Sequence, residues 1–146
     1  MKRLALTLGL ALCLLSPLNL SAHAQGASAP DESSAVRATV RDYINAYYAG
    51  DARRMEQTLH PHYLKHVIAG SLPMTEKTAS QVLQDLHIEG PAAVPDTDQT
   101  ADITILDVSG DIASAKLVTP RWIDYLTLFK SDGQWKVLSD VQHMDN

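Results

Sequence analysis

Asp124 is the residue most out of keeping with its neighbours. It lies in Trp122-Ile123-Asp124-Tyr125-Leu126-Thr127-Leu128-Phe129. Strand alternation puts Trp122, Asp124, Leu126 and Leu128 on one face and Ile123, Tyr125, Thr127 and Phe129 on the other. Both faces are largely apolar, so the segment reads as buried or half-buried on each side. A carboxylate is costly to bury there unless it is paired. Burial would raise its pKa and suit it to acid-base work or to gripping a polar group. The alternative is an Asp near a strand end, solvated or bonded to a backbone amide. A second group is His60-Pro61-His62-Tyr63-Leu64-Lys65-His66. In extended chain His60, His62 and His66 project from one face, and three imidazoles with an open position would suit zinc. Pro61 bends the chain between two of them, and spacing alone rarely makes a site, so no metal is expected. His60 is the better single candidate, because imidazole titrates near neutral pH. Tyr43 and Tyr47, four apart, share a helix face with hydroxyls near its rim. Trp122 would stack on a flat ligand or fill the pocket mouth. His143, after the last strand, reads as a solvated tail residue.

The elements that must position these groups are legible in order. Val36, Val40, Tyr43, Ile44 and Tyr47 recur at helical spacing, with capping oxygens at Asp31 to Ser34 and a stop at Gly50. Asp51 caps a short second helix carrying Met55 and Leu59, which Pro61 ends. Thr75 caps a third, with Ala79, Val82, Leu83 and Leu86 inward and Gly90 after it. Residues 88–99 read as loop. Strands follow over 103–108, 112–119, 122–130 and 135–141, joined by turns at Ser109-Gly110-Asp111 and Ser131-Asp132-Gly133. Trp135 reads as core. The expectation is an α+β fold, three N-terminal helices on one face of a curved antiparallel sheet.

The chain has 146 residues and a net charge of −5, which suits one domain and argues against a nucleic-acid binder or a polybasic membrane-surface protein. Lys2 and Arg3 precede an apolar run, Leu4 to Leu15, of 12 residues, shorter than the ~20 a spanning helix needs. Ala22-His23-Ala24 then supplies a cleavage site. Residues 1–24 read as a signal peptide, cut before Gln25, and 25–33 as a flexible leader to a domain over 34–146. The expected location is periplasmic or secreted, with no membrane attachment after cleavage. The mature chain keeps 10 of the 12 basic residues and all 17 acidic ones, a net charge of −7. It loses Cys13, the only cysteine, which excludes disulfides, thiol catalysis and cysteine-ligated zinc.

Two sets of motifs carry a resemblance. One is Arg41-Asp42-Tyr43, Tyr47, Gly50-Asp51, Leu59-His60-Pro61 and Gly110-Asp111-Ile112-Ala113-Ser114-Ala115-Lys116. The other is Asp124-Tyr125-Leu126-Thr127-Leu128 and Asp132-Gly133-Gln134-Trp135-Lys136-Val137. Over residues 34 to 141 the chain resembles the nuclear transport factor 2-like superfamily and, within it, the Putative lumazine-binding subfamily. The resemblance implies a sheet wrapped around a long helix to enclose a cone-shaped pocket, and often a homodimer. The expected function is binding of a small, partly apolar organic ligand, with no cofactor, through Tyr43, Tyr47, His60, Trp122 and Asp124. The alternative is an isomerase, dehydratase or cyclase. In it Asp124 and His60 form an acid-base pair, and Tyr47 donates to an oxyanion as a helix tyrosine does in the superfamily's ketosteroid isomerases. Binding leads because no second acid sits in an obviously apolar strand context: Asp102 and Asp107 flank turns or sheet ends.

Overall fold

The computed structural model describes residues 31–144, so the expected signal peptide and leader residues 25–30 lie outside the described residues. Helix α1 (Glu32–Ala49) buries Val36, Val40, Tyr43 and Ile44, the apolar positions spaced three and four apart. Its first turn is clamped to the far hairpin, where Glu32 accepts from Lys130 Nζ at 2.6 Å and Trp135 Nε1 at 2.8 Å. Those hydrogen bonds, that of Lys130 first, hold the Glu32 carboxyl below its usual pKa. The helix ends at Gly50, left-handed at φ 63°, whose N–H closes on the carbonyls of Ala46 and Tyr47. Asp51 accepts from the Arg54 N–H at 2.9 Å and starts α2 (Ala52–Thr58).

Two expectations about the next segment are corrected. Leu59 does not belong to α2, and Pro61 does not follow a helix: the chain passes at once into strand β1 (Leu59–Ala69). Pro61 is tolerated there because the pairing register of β1 jumps between Leu59 and Leu64, so no ladder bond is asked of it. Thr75 does not cap the third helix. It opens a short strand, β2 (Thr75–Thr78), and Thr78 caps α3 (Ala79–Glu89) through a capping box with Gln81. After a single 3-10 turn over Asp96–Asp98 come β3 (Asp102–Ser109), β4 (Ile112–Val118), β5 (Trp122–Ser131) and β6 (Gln134–Met144). The β5–β6 turn places Asp132 and Gly133 at φ 52° and 74°, the doubly left-handed geometry that an Asp-Gly hairpin favours. Strand β6 takes in His143, which pairs opposite Ile123 instead of trailing behind the sheet.

The six strands form one open sheet in the order β2-β1-β6-β5-β4-β3. It is mixed, not wholly antiparallel as expected, because β1 pairs in parallel with β6. A parallel pair needs a long crossover, and here everything from β2 to β5 supplies it. The fold is α+β, with three helices and a core in which Val36, Val40 and Ile44 meet Leu117, Leu128 and Val137. The outer face is less covered than the apolar pattern of β5 implies: Tyr125 is 49% exposed, and Ile112 and Phe129 are exposed as well. No helix among the described residues is long and apolar enough to cross a membrane.

Candidate functional site

Asp124 is 1% exposed on the inner face of β5. Its Oδ2 accepts from the indole Nε1 of Trp122, two residues away on the same face, at 2.9 Å. Beside it on β6 stands a second buried carboxylate, Asp140, wholly shielded from solvent. Strict alternation from Trp135 and Val137 would turn Asp140 outward. Leu138 instead bulges, since Thr127 pairs with Ser139 and Leu128 with Val137, and the extra residue resets the phase. Strand β1 then contributes Lys65, whose Nζ lies 2.8 Å from Asp140 Oδ2 and 3.9 Å from Asp124 Oδ1. Helix α1 contributes Tyr43, which donates to Asp140 Oδ2 at 2.9 Å and whose Oη also meets Lys65 Nζ at 3.4 Å. Tyr63 of β1 completes the set, 3.2 Å from the Tyr43 hydroxyl and 3.3 Å from Asp140 Oδ2.

Two carboxylates therefore share one ammonium. Asp124 Oδ1 and Asp140 Oδ1 are buried with no hydrogen-bond partner among the described residues. Burial, and then the charge of Asp140, push the Asp124 carboxyl up to about 7, against the opposing pull of Lys65 and of hydrogen bonds from Trp122 and Gln142. Burial first, and Asp140 second, likewise hold the Tyr43 and Tyr63 hydroxyls well above their ordinary value, so both stay neutral donors. The sign of the Asp124 effect on stability follows. Its folded pKa lies above its unfolded value, so its contribution is complete below about pH 4 and is lost as pH rises to 7, at about 1 kcal/mol per pH unit. Asp124→Asn removes that loss. The variant is expected to exceed the parent in stability by about 1–3 kcal/mol at pH 8, the difference narrowing towards pH 5. Urea unfolding across pH 5–8 measures it, and parallel curves for the two proteins would exclude the linkage.

A crevice of about 10 Å³ runs against Asp124, bounded also by Tyr43, Lys65, Trp122 and Gln142. Tyr43, Tyr47, Lys65 and Gln142 recur in the wall of a larger pocket of about 240 Å³ beside α3, where Lys77 and Asp85 pair at 2.7 Å. A neighbouring pocket of about 370 Å³ lies against loop residues 90–94, Arg121 and Trp122. Tyr47, Leu86, Glu89, Gln142 and Met144 are common to both. Aromatic rings dominate one side: Tyr47 meets Trp122 edge-on, 5.5 Å between centroids, and Tyr48 lies 6.2 Å from Trp122. Tyr47 is 37% exposed while Tyr48 is buried, so the tyrosine facing the pockets is not part of the packed core.

The structure brings together Tyr43, Tyr47, Trp122 and Asp124. It does not bring His60 to Asp124. The His60 ring meets Phe129 edge-on at 6.0 Å and His62 at 5.5 Å, and Phe129 is on the face of β5 opposite Asp124. His60 Nδ1 accepts from the His62 N–H at 3.1 Å, and His66 Nε2 is drawn to Glu76 Oε1 at 3.2 Å. The premise that the site lacks a second acid is corrected by Asp140. Tyr63, Lys65, Asp140 and Gln142 are the site residues that sequence reasoning missed. Tyr63-x-Lys65-x-Val67 does alternate, and recognition of residues 59–69 as strand would have turned Lys65 inward. Asp140 carries no such signal, because the bulge that admits it leaves no trace in the alternation.

Among curated proteins no significant match to this chain is found. Solved structures are similar in fold. An NTF2-like protein of unknown function from Shewanella baltica OS155 superposes with a TM-score of 0.65 at 20% identity, covering 79% of this chain and 94% of that one. One from Silicibacter pomeroyi DSS-3 gives 0.65 at 20% identity, with 78% and 96% covered. A ketosteroid isomerase-like protein from Erwinia carotovora atroseptica SCRI1043 gives 0.59 at 13% identity, with 81% and 99% covered. The family described as Putative lumazine-binding matches residues 31–143. With the helices, the mixed sheet and this match in agreement, the chain belongs to the Putative lumazine-binding family and has the NTF2-like fold.

Proposed function

We propose that the domain is an exported binding protein for a small, flat, uncharged organic molecule, seated between α1, α3 and the inner face of the sheet. One observation carries the reading: the aromatic rings of Tyr47 and Trp122 line the same crevice as buried Asp124 and half-buried Lys65 and Gln142. Large apolar surface with a few convergent polar groups is the usual make-up of a small-molecule site. The family name supports a heteroaromatic of the lumazine type. The adjoining pockets are read as one cone narrowing to the crevice. The signal-like residues 1–24 support export, and the exposed apolar outer face of the sheet supports a homodimer.

Native mass spectrometry of the protein from its natural compartment tests all three. The expected spectrum shows a chain beginning at Gln25, twice the chain mass, and a retained small organic molecule released on denaturation. A chain retaining residues 1–24 overturns export, a single-copy mass overturns the dimer, and an empty protein that also ignores added lumazine overturns the ligand class.

A second reading, proton-transfer catalysis of the isomerase or dehydratase type, is supported by the second carboxylate. Asp124 with a pKa near 7, beside Lys65 and Asp140, could move a proton near neutral pH. His60 has no part in this version. Asp124→Asn separates the readings: turnover lost with binding kept favours the enzyme.

A further inference from the structure

The donors around the two carboxylates are unequally shared. Asp140 Oδ2 is approached by Lys65 Nζ at 2.8 Å, Tyr43 Oη at 2.9 Å and Tyr63 Oη at 3.3 Å. Asp124 Oδ2 takes the Trp122 indole, the Gln142 side chain also lowers the cost of its charge, and Lys65 stands 3.9 Å from Asp124 Oδ1. Asp140 is thus the better stabilised anion, and its charge is balanced by Lys65. A second anion would leave uncompensated negative charge in a site almost closed to water, which is costly. The proton that neutralises Asp124 belongs on Oδ1, since Oδ2 already accepts a hydrogen bond. Oδ1 is the oxygen without a partner among the described residues. Asp124 lines a crevice of about 10 Å³, room for about one water-sized atom.

We propose that the crevice receives a carbonyl oxygen of the bound molecule, with Asp124 in its acid form and the Lys65 ammonium as its two donors. The inference rests on the pocket reading above and narrows it: the ligand enters with an acceptor, not with an N–H or a hydroxyl donor. The groups facing Asp124 are Trp122 on its own strand, Lys65 and Tyr63 from β1, Asp140 and Gln142 from β6, and Tyr43, Tyr47 and Tyr48 from α1. Of these, Lys65 and Asp140 carry the charge. The raised pKa of Asp124 agrees, since its acid form prevails up to about neutral pH. An ionised Asp124 would repel the same carbonyl oxygen.

The probe is the N,N-dimethyl derivative of lumazine, which keeps both carbonyls, has no N–H and carries no titrating proton. Its affinity is measured by fluorescence from pH 6 to 8.5. For the parent protein it is expected to fall by about tenfold or more as Asp124 ionises. Asp124→Asn keeps a donor and is expected to bind with no such pH dependence, whereas Asp124→Leu loses binding by about tenfold at pH 6. Affinity that is flat or rising with pH in the parent overturns the proposal, as does a pH dependence that survives in Asp124→Asn. Binding of lumazine itself without binding of the dimethyl derivative overturns the carbonyl contact and leaves the pocket reading standing. Failure of both to bind overturns the ligand class, and this inference with it.

Discussion

Lys65→Met is expected to destabilise the fold by about 3–5 kcal/mol at pH 8, where it leaves Asp124 and Asp140 buried with no cation. The Lys65 side chain is only 13% exposed and lies against both carboxylates, so water does little to screen the loss. Methionine replaces most of its volume, which keeps the packing term small. The cost should shrink towards pH 5, because Asp124 is then in its acid form and one buried anion fewer is left without the cation. Urea unfolding at the two pH values measures this directly. A penalty equal at both would mean that packing, not charge, is what Lys65 supplies. Tyr43 and Tyr63 would still donate to Asp140 in the variant, so the pH-dependent part reports the ammonium alone.

Gly50→Ala is expected to cost at least about 3 kcal/mol, from two separable sources. The left-handed φ of 63° costs an alanine about 1–2 kcal/mol. The remainder is steric: a Cβ at position 50 would fall inside contact distance of the backbone at Gly90 and Pro91, and no flexible side chain is there to yield. Gly110 is the internal control, with a φ of 60° and open space where its Cβ would be. Gly110→Ala should therefore lose only the conformational part. Equal losses of thermal stability in the two variants would refute the close approach. Because the loop that would have to move walls the larger pocket and binds back through the Ala92 N–H to the Tyr48 carbonyl at 3.2 Å, Gly50→Ala should also weaken ligand binding.

The parts of this fold that the sequence made legible are those built from local, periodic signals. Helix α1, the turn at Asp132-Gly133 and the inward row Trp122-Asp124-Leu126-Leu128 were all readable, because spacing alone sets which side chains point together. Asp124 stood out for the same reason. What escaped was set by pairing between distant segments. Strand β1 opens as Leu-His-Pro-His, a poor strand sequence, and is held against β6 at Leu59 and again from Leu64 onward. Thr75 and Thr78 are equally good caps on composition, and the pairing of residues 75–78 with β1 decides between them. Lys65 and Asp140 arrive at the site only through that pairing, so neither can be placed before the sheet is. His60 looked like a partner for Asp124 because type and titration range suited it, but strand faces, not residue types, decide who meets.

The bulge at Leu138 divides β6 into two working parts. Before it, Trp135 and Val137 pack the core; beyond it, Asp140 turns in to meet Lys65 and Tyr43, and Gln142 lines the pocket. A joint of this kind uncouples the phase of the second part from that of the first. Evolution can therefore rewrite the pocket-facing residues, or rotate them out altogether by an insertion or deletion at the joint, without repacking the interior. A scaffold with such a joint keeps its shape while the residues beyond the joint drift, which agrees with solved structures sharing this fold at 20% identity or less.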